Sequence, residues 1–171
     1  MKKISLFLFI LVYLFNYKIF AQSFVLESSA FKQNSIIPDQ FTCKGRDLSP
    51  PLTWRNAPEK TQSFALVVQD PDAPNAAWTH WFLYNIPANI TQLDAGSPLP
   101  EGAQYGKNSW GGPGYRGPCP SIGAHRYVFK IYALDNHLPT DPEASPDSLL
   151  NSMTGHVLAT AELVGLYQTF N

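Results

Sequence analysis

The sequence predicts an all-β fold, an antiparallel β-sandwich. Three observations lead there. The apolar segments are of strand length and bounded by turn residues rather than spaced at a helical period. Eleven Gly and fifteen Pro punctuate a chain of 171 residues. A single late stretch reads as a helix. Hydrophobic residues make up 44% of the chain, enough for a real core, and charged residues only 15%, against about 25% in an average soluble domain. That composition excludes disorder, and the length suits one domain.

The chain opens with a stretch unlike the rest. Lys2 and Lys3 give a positive start, Ile4 to Phe15 is apolar apart from Ser5, and Ile19-Phe20-Ala21 ends on a small residue. Residues 1–21 read as a secretory signal cleaved after Ala21. The apolar run is shorter than the ~20 residues that cross a bilayer. An uncleaved N-terminal anchor is the alternative, and Lys18, a charge beside the cut, is the awkward feature. The domain is then residues 22–171, exported to a periplasm or secreted, with no transmembrane anchor in the mature chain. Cleavage removes Lys2, Lys3 and Lys18 and no acid, so 12 basic residues become 9 against 13 acidic ones, a net charge of −4 with His neutral. Such a chain has no bulk electrostatic reason to bind nucleic acid or an anionic lipid surface. A local anion site stays open to it, because backbone N–H groups can form one without net charge.

The elements follow in order. Phe24-Val25-Leu26 and Leu52-Thr53-Trp54 are short strands, separated by a turn-rich segment from Pro38 to Pro51. Ser63 to Gln69 is a continuous apolar run that stops at Asp70-Pro71, the pattern of a strand buried on both faces. Trp81 to Ile86 is a second such strand, ended by Pro87. Ala88 to Gly106 is a connection with little periodicity. Residues 108–124 hold five Gly and three Pro, and a loop of that length in a compact domain is usually functional or disordered. Arg126 to Leu134 alternates, with Tyr127, Phe129, Ile131 and Ala133 on one face. Ser145-Pro146-Asp147 starts a short helix, with Ser as cap and Pro in the first turn. Leu149, Leu150 and Met153 form its apolar face and Gly155 ends it. Alternation from Val157 to Tyr167 favours a last strand over a longer helix.

Two stretches carry the chemistry. In Asp70-Pro71-Asp72-Ala73-Pro74 the prolines fix φ and stiffen a turn bearing two carboxylates. A lone Asp-Pro-Asp is usually a solvated turn, but His80 follows ten residues on, in Trp78-Thr79-His80-Trp81. The second stretch runs from Gly111 through Gly117-Pro118-Cys119 to His125-Arg126-Tyr127. His125 and Tyr127 are two apart on a strand, so they share a face. Together they read as a polar wall beside a glycine loop. That loop matches no phosphate-loop pattern, though its backbone N–H groups can still turn toward an oxyanion. Two Asp and two His could bind a metal, but no spacing supports it, and metal ranks below anion. There is no G-x-S-x-G elbow and no marked nucleophile, so no catalytic residue and no cofactor is assigned. In an exported chain two cysteines, Cys43 and Cys119, favour a disulfide over two separate thiols, one of them reactive.

With both stretches in hand, the chain resembles the phosphatidylethanolamine-binding protein family, in its bacterial, Raf-kinase-inhibitor-like branch. The residues that carry the resemblance are Asp70 to Pro74 with His80-Trp81, and Gly114-Tyr115-Arg116-Gly117-Pro118 with His125-Arg126-Tyr127. Ser49-Pro50-Pro51-Leu52-Thr53-Trp54 and Leu158 to Glu162 add to it. The resemblance implies two antiparallel sheets with short peripheral helices and a pocket for phosphate or phosphoryl headgroups. Carried over by motif, the ligand-binding residues are Asp70, Asp72, His80, Gly117, Pro118, His125 and Tyr127. The presence of two cysteines in exported relatives supports a Cys43–Cys119 bond. The loop from Tyr115 to Ser121 departs from animal members, so a kinase-regulating role is not transferred.

The leading expectation is non-enzymatic binding of a small anion or phospholipid headgroup. A protein-interaction module, acting as a protease or signalling inhibitor, is the second reading, and a hydrolase using the His/Asp pocket the third. A protein partner and a homodimer are left open. Two aspartates are an odd lining for an anion. Either they accept hydrogen bonds from His80, His125 or Tyr127, or a protonated phosphate oxygen donates to one of them.

Overall fold

The protein is described by a computed structural model covering residues 22–141 and 143–169. The leader assigned to residues 1–21 lies outside the described residues. In chain order the elements are β1 (Val25–Glu27), β2 (Ser35–Ile36), β3 (Leu52–Arg55), β4 (Ser63–Asp70), β5 (Trp78–Pro87), β6 (Gln92–Leu93), β7 (Gln104–Tyr105), β8 (Ala124–Leu134), α1 (Pro146–Ser152) and β9 (Val157–Gln168). A 3-10 turn spans Asp39–Phe41. The strands form two sheets, one of order β1-β3-β6 and one of order β2-β9-β8-β4-β5-β7. This is the two-sheet, mostly β architecture that the sequence predicts.

The burial of each strand explains its sequence. One face of the large sheet, with Phe64, Leu66, Val68, Phe129 and Ile131, packs on Leu26, Leu52 and Trp54 of the small sheet. The other face, with Ala65, Val67, Phe82 and Tyr84, is covered by Leu138, Leu149 and Met153. β4 is therefore buried on both sides, which is why its sequence is continuously apolar. β8 alternates because Tyr127, Phe129, Ile131 and Ala133 are buried while Val128, Lys130 and Tyr132 are only half covered. α1 is capped by Ser145, whose hydroxyl accepts the Ser148 N–H at 3.1 Å, with Pro146 in the first turn.

Four details differ from the expectation. The β2–β9 pair is parallel, the other strand pairs being antiparallel. The unstructured reading of residues 88–106 misses β6 and β7, each of two residues, too short for any period to register. β8 starts at Ala124 rather than Arg126. β5 starts at Trp78 rather than Trp81, because a bulge interrupts its pairing with β4. Val68 pairs with Trp81 and Gln69 with Thr79, so His80 is the extra residue. A bulge of this kind re-aims a side chain. Here His80 packs against Tyr127 while its neighbour Trp81 packs in the same inter-sheet core, a placement that strict alternation forbids.

Candidate functional site

The site lies at one end of the large sheet. The last residue of β4 and the first residues of β5 and β8 meet there because the three strands are antiparallel neighbours. A cavity of about 210 Å³ opens between them and is lined by Asp70, Trp78, His80, His125 and Tyr127 from the strands. The turn after β4 and Trp110, Cys119, Pro120 and Ser121 from the long loop complete the wall. It is smaller than the ~300 Å³ where drug-sized pockets begin.

The carboxylate of Asp70 faces inward and is spoken for. Its Oδ1 accepts the Asp72 backbone N–H at 2.9 Å, a turn bond that its own proline-locked loop provides. Its Oδ2 accepts Nδ1–H of His125 at 2.7 Å. The two side chains are only 7% and 13% exposed. His80 donates its Nδ1–H to the carbonyl of Arg116 at 2.6 Å. A carbonyl can only accept, so this bond fixes the proton on Nδ1. Both histidines thus spend Nδ1 on the protein, and Nε2 of each has no hydrogen-bond partner among the described residues. The Tyr127 hydroxyl is fully buried and makes no well-formed hydrogen bond among those residues, with the Asp70 carboxylate and the Cys119 backbone its nearest polar neighbours. Burial, reinforced by the Asp70 charge, pushes the Tyr127 phenol well above its ordinary pKa, so it is a donor at any physiological pH. Burial lowers the pKa of His80, opposed by the Arg116 carbonyl and the charges of Asp70 and Asp47.

Three of the residues assigned from sequence sit outside the lining. Asp72 turns away and clamps the start of β8. Its Oδ2 accepts both the backbone N–H and Nε–H of Arg126 at 2.9 Å, and its Oδ1 accepts Nη2 at 2.7 Å. The Arg126 hydrogen bonds hold the Asp72 carboxyl down to a pKa of about 2. Gly117 and Pro118 lie behind the wall and fasten it. The Gly117 N–H donates to Asp47 Oδ1 at 2.6 Å, and the Pro118 carbonyl accepts the Cys43 N–H at 3.1 Å. A Cβ on Gly117 would fall 2.4 Å from the Phe41 carbonyl oxygen, so only glycine fits there. The Cys43–Cys119 disulfide forms and joins the same two loops, closing a span whose chain-entropy effect is roughly 4 kcal/mol.

The sequence reading leaves out the aromatic rim. Trp78 and Trp110 are 39% and 43% exposed and meet edge to face at 5.4 Å between ring centroids. Trp110 also meets His80 at 5.0 Å, and the Arg116 guanidinium stands 5.5 Å over the Trp110 ring. Trp78 had a readable signal, two residues before His80 in one strand. Trp110 had none, since a loop has no period. Among the described residues no three His, Cys, Asp or Glu side chains gather as metal ligands do.

Fold and site together define a class: a β-sandwich domain with a small cavity floored by two histidines, an aspartate and a tyrosine at the end of its large sheet. The model of the phosphatidylethanolamine-binding protein family matches residues 27–168, and the chain belongs to that family. Among its relatives, the UPF0098 protein of Methanothermobacter thermautotrophicus is 47% identical over 147 residues, covering 84% of this chain and 97% of that protein. Two crystal structures share the fold closely. A phosphatidylethanolamine-binding protein homologue from Chlamydia trachomatis superposes with a TM-score of 0.83 at 37% identity, covering 86% of this chain and 99% of that one. Escherichia coli YbcL, described as a member of the mammalian family, superposes with a TM-score of 0.82 at 35% identity, covering 87% and 100%.

Proposed function

We propose that this protein binds small oxyanions, phosphate or a phosphoryl headgroup, in the cavity at the end of the large sheet, and does so without turning them over. One observation carries the reading: two imidazoles anchored through Nδ1 and a buried phenol all line one small space. The two Nε2 atoms are left without partners at the edge of this space, and a small polar ligand supplies them. Asp70 positions His125 rather than meeting the anion with its own free charge. The Arg116 guanidinium at the rim attracts an anion toward the mouth. Export fits the same picture, since the chain's two cysteines are joined to each other.

Calorimetric titration with inorganic phosphate and phosphoethanolamine tests this. Both are expected to bind weakly, because so small a ligand offers few atoms. His125→Ala is expected to lose binding at least ~10-fold, the cost of one charge-assisted hydrogen bond, with the circular dichroism spectrum unchanged. Equal affinity in the wild type and a folded His125→Ala protein would place the anion elsewhere.

A further inference from the structure

Inside the two-residue strands β2 and β7, the large sheet ends in two long strands, β9 and β5, and these are finished differently. The edge of β5 is closed by the chain that follows β7, where the N–H groups of Gly106, Ser109 and Arg116 donate to the carbonyls of Phe82, Thr79 and His80. β2 pairs with β9 only at Gly165 and Leu166. Around that pair the Leu166 carbonyl accepts the Ile37 N–H at 2.8 Å, and Val164 donates its N–H to Gln33 Oε1 at 2.9 Å while its carbonyl accepts the Asn34 N–H at 2.7 Å. β9 therefore turns the backbone of its even-numbered residues away from β8. By the same alternation Thr160 and Glu162 face outward, and no partner meets them among the described residues. Leu158, the next even residue, lies in a bulge, so the open window is Ala159 to Leu163. β1 stands across from it in the other sheet, beyond a groove of about 450 Å³ whose lining includes Val25, Phe31, Glu162 and Leu163, which leaves room for one more strand. Sheet edges are normally guarded by lysine, proline or a bare charge. This window has only Glu162, already paired with Lys130 of β8 at 3.0 Å.

We propose that this window docks a second copy of the chain, the two β9 strands pairing antiparallel about a two-fold axis at Ala161 and joining the two large sheets into one. The window is its own complement. In that register each Thr160 stands opposite Glu162 of the other copy, and the outward N–H and C=O groups of each such pair exchange both hydrogen bonds. Ala161 meets Ala161 in the close, non-hydrogen-bonded position, where small side chains fit. No like charges are opposed, since each Glu162 faces a hydroxyl. Moving the axis one residue either way opposes the two Glu162 carboxylates or sets Glu162 against the bulge. The same register carries the bulge of each copy, where Val157 is 40% exposed, toward the apolar groove of the other, so that both lose contact with water.

Sedimentation equilibrium of protein expressed from the full chain tests this. So small an interface predicts a weak dimer, half-formed at about 100 μM. Thr160 is exposed, so charge can be placed there without disturbing the core. Thr160→Glu sets a second carboxylate against Glu162 at both equivalent pairs and is expected to weaken the dimer at least ~10-fold, with the thermal midpoint unchanged. Thr160→Lys sets a cation there and is expected to dimerise at least as tightly as the wild type. Hydrogen exchange reads the register directly. The Thr160 and Glu162 amides are expected to gain protection as the concentration rises, while those of Ala161 and Leu163, which face β8, are protected throughout. A wild type that stays monomeric at ~1 mM overturns the second copy as occupant and leaves the edge to an extended segment of another protein. A folded Thr160→Glu protein that dimerises as the wild type does overturns the window as the interface. Thr160→Lys behaving like Thr160→Glu, or a dimer whose Thr160 and Glu162 amides stay unprotected, overturns the register.

Discussion

β8 has a histidine–aspartate pair at each end, and the two pairs differ in almost everything except their bond. At its start, His125 Nδ1 lies 2.7 Å from Asp70 Oδ2. Just past its end, His156 Nδ1 lies 2.8 Å from Asp135 Oδ1. The first pair is 13% and 7% exposed, the second 45% and 42%. The first shares a cavity with a second anchored imidazole, a buried phenol and two tryptophans. The second lines none of the cavities described. A His–Asp hydrogen bond is therefore no site by itself. Exclusion of water and convergent neighbours make the difference, by making each unmet polar group costly and each ligand contact strong.

The comparison predicts unequal consequences for equal substitutions. Asp70→Asn leaves two buried donors, the Asp72 N–H and His125 Nδ1–H, competing for one acceptor oxygen. It is expected to destabilise the fold by about 1–3 kcal/mol. Asp135→Asn, at the solvated pair, is expected to stay within about 0.5 kcal/mol of wild type. Urea unfolding midpoints of the two variants decide this, and equal midpoints would remove the distinction between the pairs.

A smaller effect concerns the outer arm of the same turn. Asp72 is held to a pKa of about 2 in the fold by Arg126, against about 3.9 in an unfolded chain. Its stabilisation is thus fully present above pH 4 and is lost as the pH falls through about 2. The pair is partly solvated, with side chains 30% and 57% exposed, so the contribution is under about 1 kcal/mol. The stability gap between wild type and Asp72→Asn is expected to close between pH 4 and pH 2. A gap that persists at pH 2 would assign Asp72 some role other than a charged clamp.

What sequence could show of this site follows from where each residue stands. Asp70 is legible because a continuous apolar run ends on Asp-Pro. His125 and Tyr127 are legible because they are two apart on an alternating strand. The fold class is legible for the same reason, as period and punctuation are local. The aim of His80 is not, because a bulge depends on the register with β4. The outward turn of Asp72 is not, because its partner Arg126 stands 54 residues away. The motif assigns Gly117 and Pro118 to ligand binding, whereas the residues of that loop that line the cavity are Cys119 to Ser121. Those two residues are instead the fastening, and their partners Asp47 and Cys43 lie in a distant loop.

The central claim is that His80 and His125, each anchored through Nδ1, turn Nε2 toward one anion. Long-range ¹H–¹⁵N spectra of the imidazoles test it most directly, because they report which nitrogen carries the proton and which one meets the ligand. The account predicts a neutral Nδ1–H ring for His80, and phosphate-dependent shifts at Nε2 of both His80 and His125. The His156 ring, with its own aspartate, should not move. An Nε2–H form of His80, or phosphate shifts at His156 with His80 and His125 unmoved, would contradict it.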